Sequence, residues 1–168
     1  MNKALFLDRD GVINKNFGHV HLIDNFKFRK GIFDLVKLFH DKNYLIIVVT
    51  NQAGIGKGLY SIDQFRALNQ WMINVFQKKG LRIAKTYYCP HKPEDNCNCR
   101  KPKPGLFIEA IRDYDLDVKL SLLVGDKQTD IDAARLAKIS NLFNIANYKT
   151  IDRLCSKIIK NGFKQSHS

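Results

Sequence analysis

Short apolar runs alternate with helix-periodic stretches along the chain, and each run stops abruptly at polar residues. Residues 3–7 run into Asp8-Arg9-Asp10-Gly11, 45–49 into Thr50-Asn51-Gln52, 83–88 into a Cys/His segment, and 120–124 into Gly125-Asp126. Brief runs of branched aliphatics suit strands buried on both faces. Between them, Ile32, Leu35, Val36, Leu38 and Phe39 recur at helical spacing over 31–43. Ser61 with Gln64 three residues on is a capping-box signal for a long helix ending near Lys79. Pro104 opens another helix. Helices are also expected over 129–138 and 150–162, on either side of a fifth strand at 142–146. This alternation predicts one doubly wound α/β domain over 1–168, with a mostly parallel, Rossmann-like sheet. The polar tail, 163–168, is expected to fray.

Ligands of such sheets sit beyond the carboxyl ends of the strands. Asp8 and Asp10, Thr50 and Asn51, the Cys/His segment and Asp126 all fall at such ends. Asp8 and Asp10, at i and i+2, point the same way on an extended chain. Two such carboxylates call for a cation or a shared proton. With Asp126 they offer hard oxygen ligands suited to Mg²⁺. A carboxylate beside that ion can attack phosphorus. Taken alone, Asp-x-Asp-Gly also suits a turn cap, and Gly11 comes too early for an EF-hand loop.

Cys89-x-His91, five residues, then Cys97-x-Cys99 matches a closed tetrahedral zinc site, which is structural because no position is left for water. The zinc loop is read as 89–103, and the distant Cys155 as a core residue. Arg100 and Lys101 follow the last ligand. They fit an anchored phosphate grip, although a solvated basic pair has the same sequence. The stretch Gly54-Ile55-Gly56-Lys57-Gly58 fails as a nucleotide P-loop, because Asn51 and Gly58 stand where Gly and Ser or Thr are needed. It fits either a flexible turn or a backbone that a phosphate approaches closely.

The net charge of +12 attracts anions. Its basic residues are scattered from Lys3 to Lys164, which argues against a nucleic-acid footprint. No apolar run approaches the ~18 residues of a membrane span. The N-terminal apolar patch is broken at Asp8, unlike a signal peptide. A cytoplasmic protein without a membrane or nucleic-acid partner is therefore expected.

Phe6-Leu7-Asp8-Arg9-Asp10-Gly11-Val12 resembles the first motif of the haloacid-dehalogenase-like phosphatases. Val48-Val49-Thr50-Asn51-Gln52 resembles their second, and Val124-Gly125-Asp126-Lys127 with Asp130 their fourth. The Cys-x-His…Cys-x-Cys-Arg-Lys-Pro loop is similar to that of the branch holding heptose bisphosphate and histidinol-phosphate phosphatases. Residues 18–26, the Lys101-Pro102-Lys103-Pro104-Gly105 segment and Lys127 resemble the heptose side of that branch. His19 stands where Tyr is common there.

The resemblance implies a minimal cap and removal of the 7-phosphate from D-glycero-D-manno-heptose 1,7-bisphosphate. It assigns Asp8 as nucleophile and Asp10 as acid and base. Thr50 and Lys101 would hold the transferring group, and Arg100 would select substrate. Mg²⁺ would be held by Asp8, the backbone carbonyl of Asp10, and Asp126; the Zn²⁺ of Cys89, His91, Cys97 and Cys99 would be structural. Asn16, Phe17, Gly18, His19, Asn51, Gln52 and Ala53 would wall the sugar, and Lys127 would orient Asp8 or touch phosphate. A monomer acting on a small phosphorylated sugar is expected. Histidinol-phosphate hydrolysis is the alternative within the branch. A zinc-containing nucleic-acid-binding protein is the alternative of another class; it is disfavoured because the acidic triad would repel a phosphate backbone unless metal is bound.

Overall fold

The computed structural model describes residues 1–160, so the expected frayed tail lies outside the described residues. Five parallel strands form one sheet in the order β3-β2-β1-β4-β5. They are β1 (Ala4–Leu7), β2 (Leu45–Asn51), β3 (Ile83–Cys89), β4 (Leu122–Gly125) and β5 (Asn141–Asn144). The helices are α1 (Ile32–His40), α2 (Ala53–Gly56), α3 (Ile62–Lys78), α4 (Gly105–Tyr114), α5 (Gln128–Leu136) and α6 (Ile151–Lys160).

Alternate side chains of the central strands feed two cores. Leu5, Leu7, Ile46, Val48, Leu122 and Val124 face α1, α3 and α6, where they meet Leu35, Phe39, Met72, Phe76, Leu154 and Ile158. Ala4, Phe6, Ile47, Val49 and Leu123 face α4 and α5, against Leu106, Phe107, Ala133 and Ala134. Burial on both faces explains why β1 and β2 read as unbroken apolar runs. α1 and α3 cover one face as the chain winds outward to β3, and α4, in the return crossover from β3 to β4, covers the other together with α5, as right-handed connections require. The strand order therefore reverses between β1 and β4, the position where such sheets open a ligand crevice.

Three boundaries differ from the sequence expectations. The fifth strand ends at Asn144, because Ile145–Tyr148 winds into a 3₁₀ turn and Asn144 Oδ1 accepts the Ala146 N–H at 3.0 Å. The glycine-rich stretch is partly helical, as α2. The second strand continues through Thr50 and Asn51, which places both on its last turn of pleat. The capping box is present, with Ser61 and Gln64 each bonded to the other's backbone N–H. Cys155 packs against the core. Among the described residues no helix is long and apolar enough to cross a membrane.

Candidate active site

The parallel register sets Leu7 beside Val124, so the residues that follow these strands, Asp8 and Asp126, emerge side by side. The Asp8 N–H donates to Val124 O at 3.1 Å and fixes this exit. Gly11 lets the two loops close. A Cβ there would lie 2.1 Å from Asp126 Oδ2, and its φ of +102° is itself a glycine conformation. Asp8, Asp126 and Asp130 each bring an oxygen within 4.8 Å of the others.

Lys101 enters this acidic cluster from the loop after β3. Its Nζ lies 2.7 Å from Asp8 Oδ1 and 2.6 Å from Asp130 Oδ1, and it donates to Val49 O at 2.8 Å. Burial alone would push the Lys101 ammonium down, but Asp8 and Asp130 outweigh it and hold the group cationic. Asp8 is pushed up to about 7, first by burial, against the pull of Lys101 and with the added charge of Asp130 and Asp126. Lys101 thus pairs with two carboxylates, Asp8 and Asp130, while Asp126 stands beside them with no cation among the described residues in contact.

A divalent cation fits what remains. Asp126 Oδ1 is buried and has no hydrogen-bond partner, a costly state unless something binds it. Asp130 is already committed: Oδ1 to Lys101, and Oδ2 to the N–H groups of Asp126 and Lys127 at 3.1 Å each. That leaves Asp8 and Asp126 as the carboxylates available to an oxygen-seeking metal.

Asp10 stands apart from this cluster. Arg9 NH2 reaches both its oxygens, at 3.0 and 2.9 Å, and Arg9 Nε reaches Oδ2 at 3.1 Å. Asn14 Nδ2 donates to Oδ1 and Gln52 Nε2 to Oδ2, each at 3.0 Å. Arg9 is almost wholly buried, and its NH2 also donates to Val20 O at 2.6 Å, tying the loop between β1 and α1 to the site.

Asp8, Asp10, Thr50, Asn51, Gln52, Ala53, Arg100, Lys101 and Lys127 all line one cavity of about 400 Å³, with Asn16, Gly18 and His19 at its loop side. Phe17 does not line it; its side chain is 62% exposed. Lys127, expected to orient Asp8 or touch phosphate, is exposed at the start of α5, and the lysine that reaches Asp8 is Lys101. Asn51 clasps the Lys101 backbone at both ends of its amide, donating to the carbonyl and accepting the N–H at 3.1 Å. The sequence reading did not assign Tyr60 and Thr129, which also line the cavity, or the lysine-holding role of Asp130.

The second metal-competent group lies at the end of β3. Sulfur and Nδ1 atoms of Cys89, His91, Cys97 and Cys99 approach one another at 3.1 to 3.6 Å. A tetrahedral Cys₃His zinc site needs ligand separations of about 3.8 Å at most, so these four can hold a metal after small outward shifts. The cluster is continuous with the site: Arg100 NH1 donates to His91 O at 3.3 Å, and the Gln52 N–H to Cys89 O at 2.8 Å.

The HAD-hydrolase-like family model matches residues 98–143. The chain is 47% identical over 153 residues to D-glycero-alpha-D-manno-heptose-1,7-bisphosphate 7-phosphatase of Burkholderia mallei, covering 87% of this chain and 81% of that one. It is 43% identical over 145 residues to the Haemophilus influenzae D-glycero-beta-D-manno-heptose-1,7-bisphosphate 7-phosphatase, covering 83% and 79%. The crystal structure of D,D-heptose 1,7-bisphosphate phosphatase from B. bronchiseptica, complexed with magnesium and phosphate, shares the fold at a TM-score of 0.83 and 24% identity, covering 95% of this chain and 99% of that one. With this sequence similarity spanning both chains, and with the acidic crevice and the Cys/His loop in place, the chain belongs to the heptose-1,7-bisphosphate 7-phosphatase family of haloacid-dehalogenase-like hydrolases.

Proposed function

We propose that this protein removes the 7-phosphate of D-glycero-D-manno-heptose 1,7-bisphosphate through an aspartyl-phosphate on Asp8. The observation that carries the reading is the buried Asp8–Lys101 pair beside the unpartnered Asp126 oxygen, at the crevice where the sheet reverses.

Asp8 attacks phosphorus in line with the departing sugar oxygen. Protonated Asp10 gives that oxygen its proton, so the sugar leaves as an alcohol. Asp10, now a carboxylate, takes a proton from the water that attacks the aspartyl-phosphate. Inorganic phosphate leaves and Asp8 is regenerated. Lys101 fixes the Asp8 carboxylate throughout and supplies positive charge beside it. Thr50 Oγ1 accepts from Gln52, so its own proton is free to point at a phosphoryl oxygen. Asp8, Asp126 and the Asp10 carbonyl would hold Mg²⁺, which would supply charge neutralisation on the transferring group. Cys89, His91, Cys97 and Cys99 would hold Zn²⁺, which would brace the loop that delivers Arg100 and Lys101.

Arg100 and Lys127 line the cavity from the zinc loop and from the start of α5. Two cations at the rim match a substrate with a second phosphate better than the cationic histidinol phosphate. The small phosphorylated sugar is covered by Asn16, Gly18 and His19 and by residues 51–53 in place of a separate cap.

The test is phosphate release with Mg²⁺ at matched concentrations of heptose 1,7-bisphosphate and histidinol phosphate. Preference for the bisphosphate is expected. Preference for histidinol phosphate would overturn the substrate while keeping the chemistry.

A further inference from the structure

Tyr60 sits outside every motif noted in the sequence, yet it is 5% exposed and lines the cavity. Its hydroxyl lies 2.6 Å from Gln52 Oε1. The other end of that amide, Nε2, donates to Asp10 Oδ2 at 3.0 Å and to Thr50 Oγ1 at 2.8 Å.

The donor directions follow from chemistry. Arg9 and Asn14 already donate to the Asp10 oxygens, so Asp10 is an acceptor in this network, and the amide presents its NH₂ to Asp10 and its oxygen to Tyr60. Tyr60 must therefore donate. Its hydroxyl is pushed up to about 12, chiefly by burial, with Arg9 opposing and Asp10 adding to it, so it keeps its proton at neutral pH. If Gln52 were flipped, its carbonyl would face a carboxylate. A tyrosine hydroxyl could bond either end of the amide, but its hydrogen bond to Oε1 favours the orientation that serves Asp10.

The ring is held as firmly as the hydroxyl. It stacks on His21 with centroids 4.8 Å apart and planes 8° from parallel. It also fills the place of a side chain at Gly54, where a Cβ would fall 2.1 Å from Tyr60 Cε1 and 2.7 Å from Cζ. The glycine that looked like part of a flexible or phosphate-binding loop is thus a seat for this ring.

We propose that Tyr60 is a positioning residue that acts through the Gln52 amide to hold Asp10 for proton transfer. The inference rests on the assignment of Asp10 as the acid in the proposed reaction. It predicts a dependence on the leaving group, because a basic sugar alkoxide needs a well-placed acid and a p-nitrophenolate does not.

The experiment compares kcat/KM for heptose 1,7-bisphosphate, phenyl phosphate and p-nitrophenyl phosphate in the wild type, Tyr60→Phe and Gly54→Ala. Tyr60→Phe keeps the ring and removes the donor. Gly54→Ala keeps the donor and displaces the ring. In both variants the loss is expected to grow with leaving-group basicity, from under about twofold on p-nitrophenyl phosphate to about tenfold on the sugar phosphate. Equal losses on all three substrates in Tyr60→Phe, or no loss on the sugar phosphate, would overturn the proposal. Should Gly54→Ala fail to fold, as judged by its melting curve, Tyr60→Phe decides alone. A wild type that cleaves both aryl phosphates but not the bisphosphate overturns the proposed substrate instead, and Tyr60 is then judged on phenyl against p-nitrophenyl phosphate.

Discussion

Lys101 Nζ lies 2.7 Å from Asp8 Oδ1, although 93 residues separate them, and the lysine side chain is only 2% exposed. The contact joins the first strand's exit to the loop that follows the Cys/His cluster. Lys101 also serves Asp130, so its charge is shared between two buried carboxylates.

Replacing Lys101 by Met should therefore damage both fold and reaction. Removing one member of a buried charge network costs about 3–5 kcal/mol, read as a lower denaturant midpoint. Loss of preorganised positive charge beside the reacting group should lower kcat by roughly 100-fold or more. A variant with near-normal kcat would remove Lys101 from the account.

Gly11→Ala separates metal binding from folding. The new methyl would fall on the Asp126 carboxylate, at a backbone φ that L residues rarely adopt. The strain costs about 1–3 kcal/mol. The larger consequence is displacement of a candidate Mg²⁺ ligand, and the half-saturating Mg²⁺ concentration should rise by about tenfold or more. Unchanged magnesium activation would mean that Asp126 does not hold the ion.

The framework was legible in the sequence because burial leaves a plain signal. Leu5, Leu7, Ile46 and Val48 fill one core and Phe6, Ile47 and Val49 the other, so the strands had to read as continuous apolar runs. The acidic residues and Thr50 were legible because strand ends gather at one edge. Lys101 was assigned to phosphate, and its pairing with Asp8 and Asp130 depends on a fold-back of the loop after β3 that no local pattern records. Tyr60 was missed for the same reason: its partners Gln52 and His21 belong to two separate loops. The glycines at 54 and 56 fitted either a flexible turn or a backbone that a phosphate approaches, whereas Gly54 faces the Tyr60 ring and Gly56 faces the Pro90 carbonyl.

Disrupting the Cys/His loop should reach the active site through the clasp between Asn51 and the Lys101 backbone. Cys97→Ser is expected to lose bound zinc by elemental analysis. It should lower the melting temperature by roughly 5–10 °C, the scale of a few kcal/mol in a domain of this size. Activity should fall with it, and added Mg²⁺ should not restore it. A zinc-free variant with full activity would show that the loop holds Lys101 without metal.

The most direct measurement is acid-quenched mass spectrometry of the enzyme during turnover of heptose 1,7-bisphosphate with Mg²⁺, alongside Asp8→Asn. One phosphoryl group is expected on the peptide bearing Asp8 in the wild type, and neither label nor phosphate release in a folded Asp8→Asn variant. Phosphate release by that variant, or a phosphoryl group on another residue, would contradict Asp8 as the nucleophile.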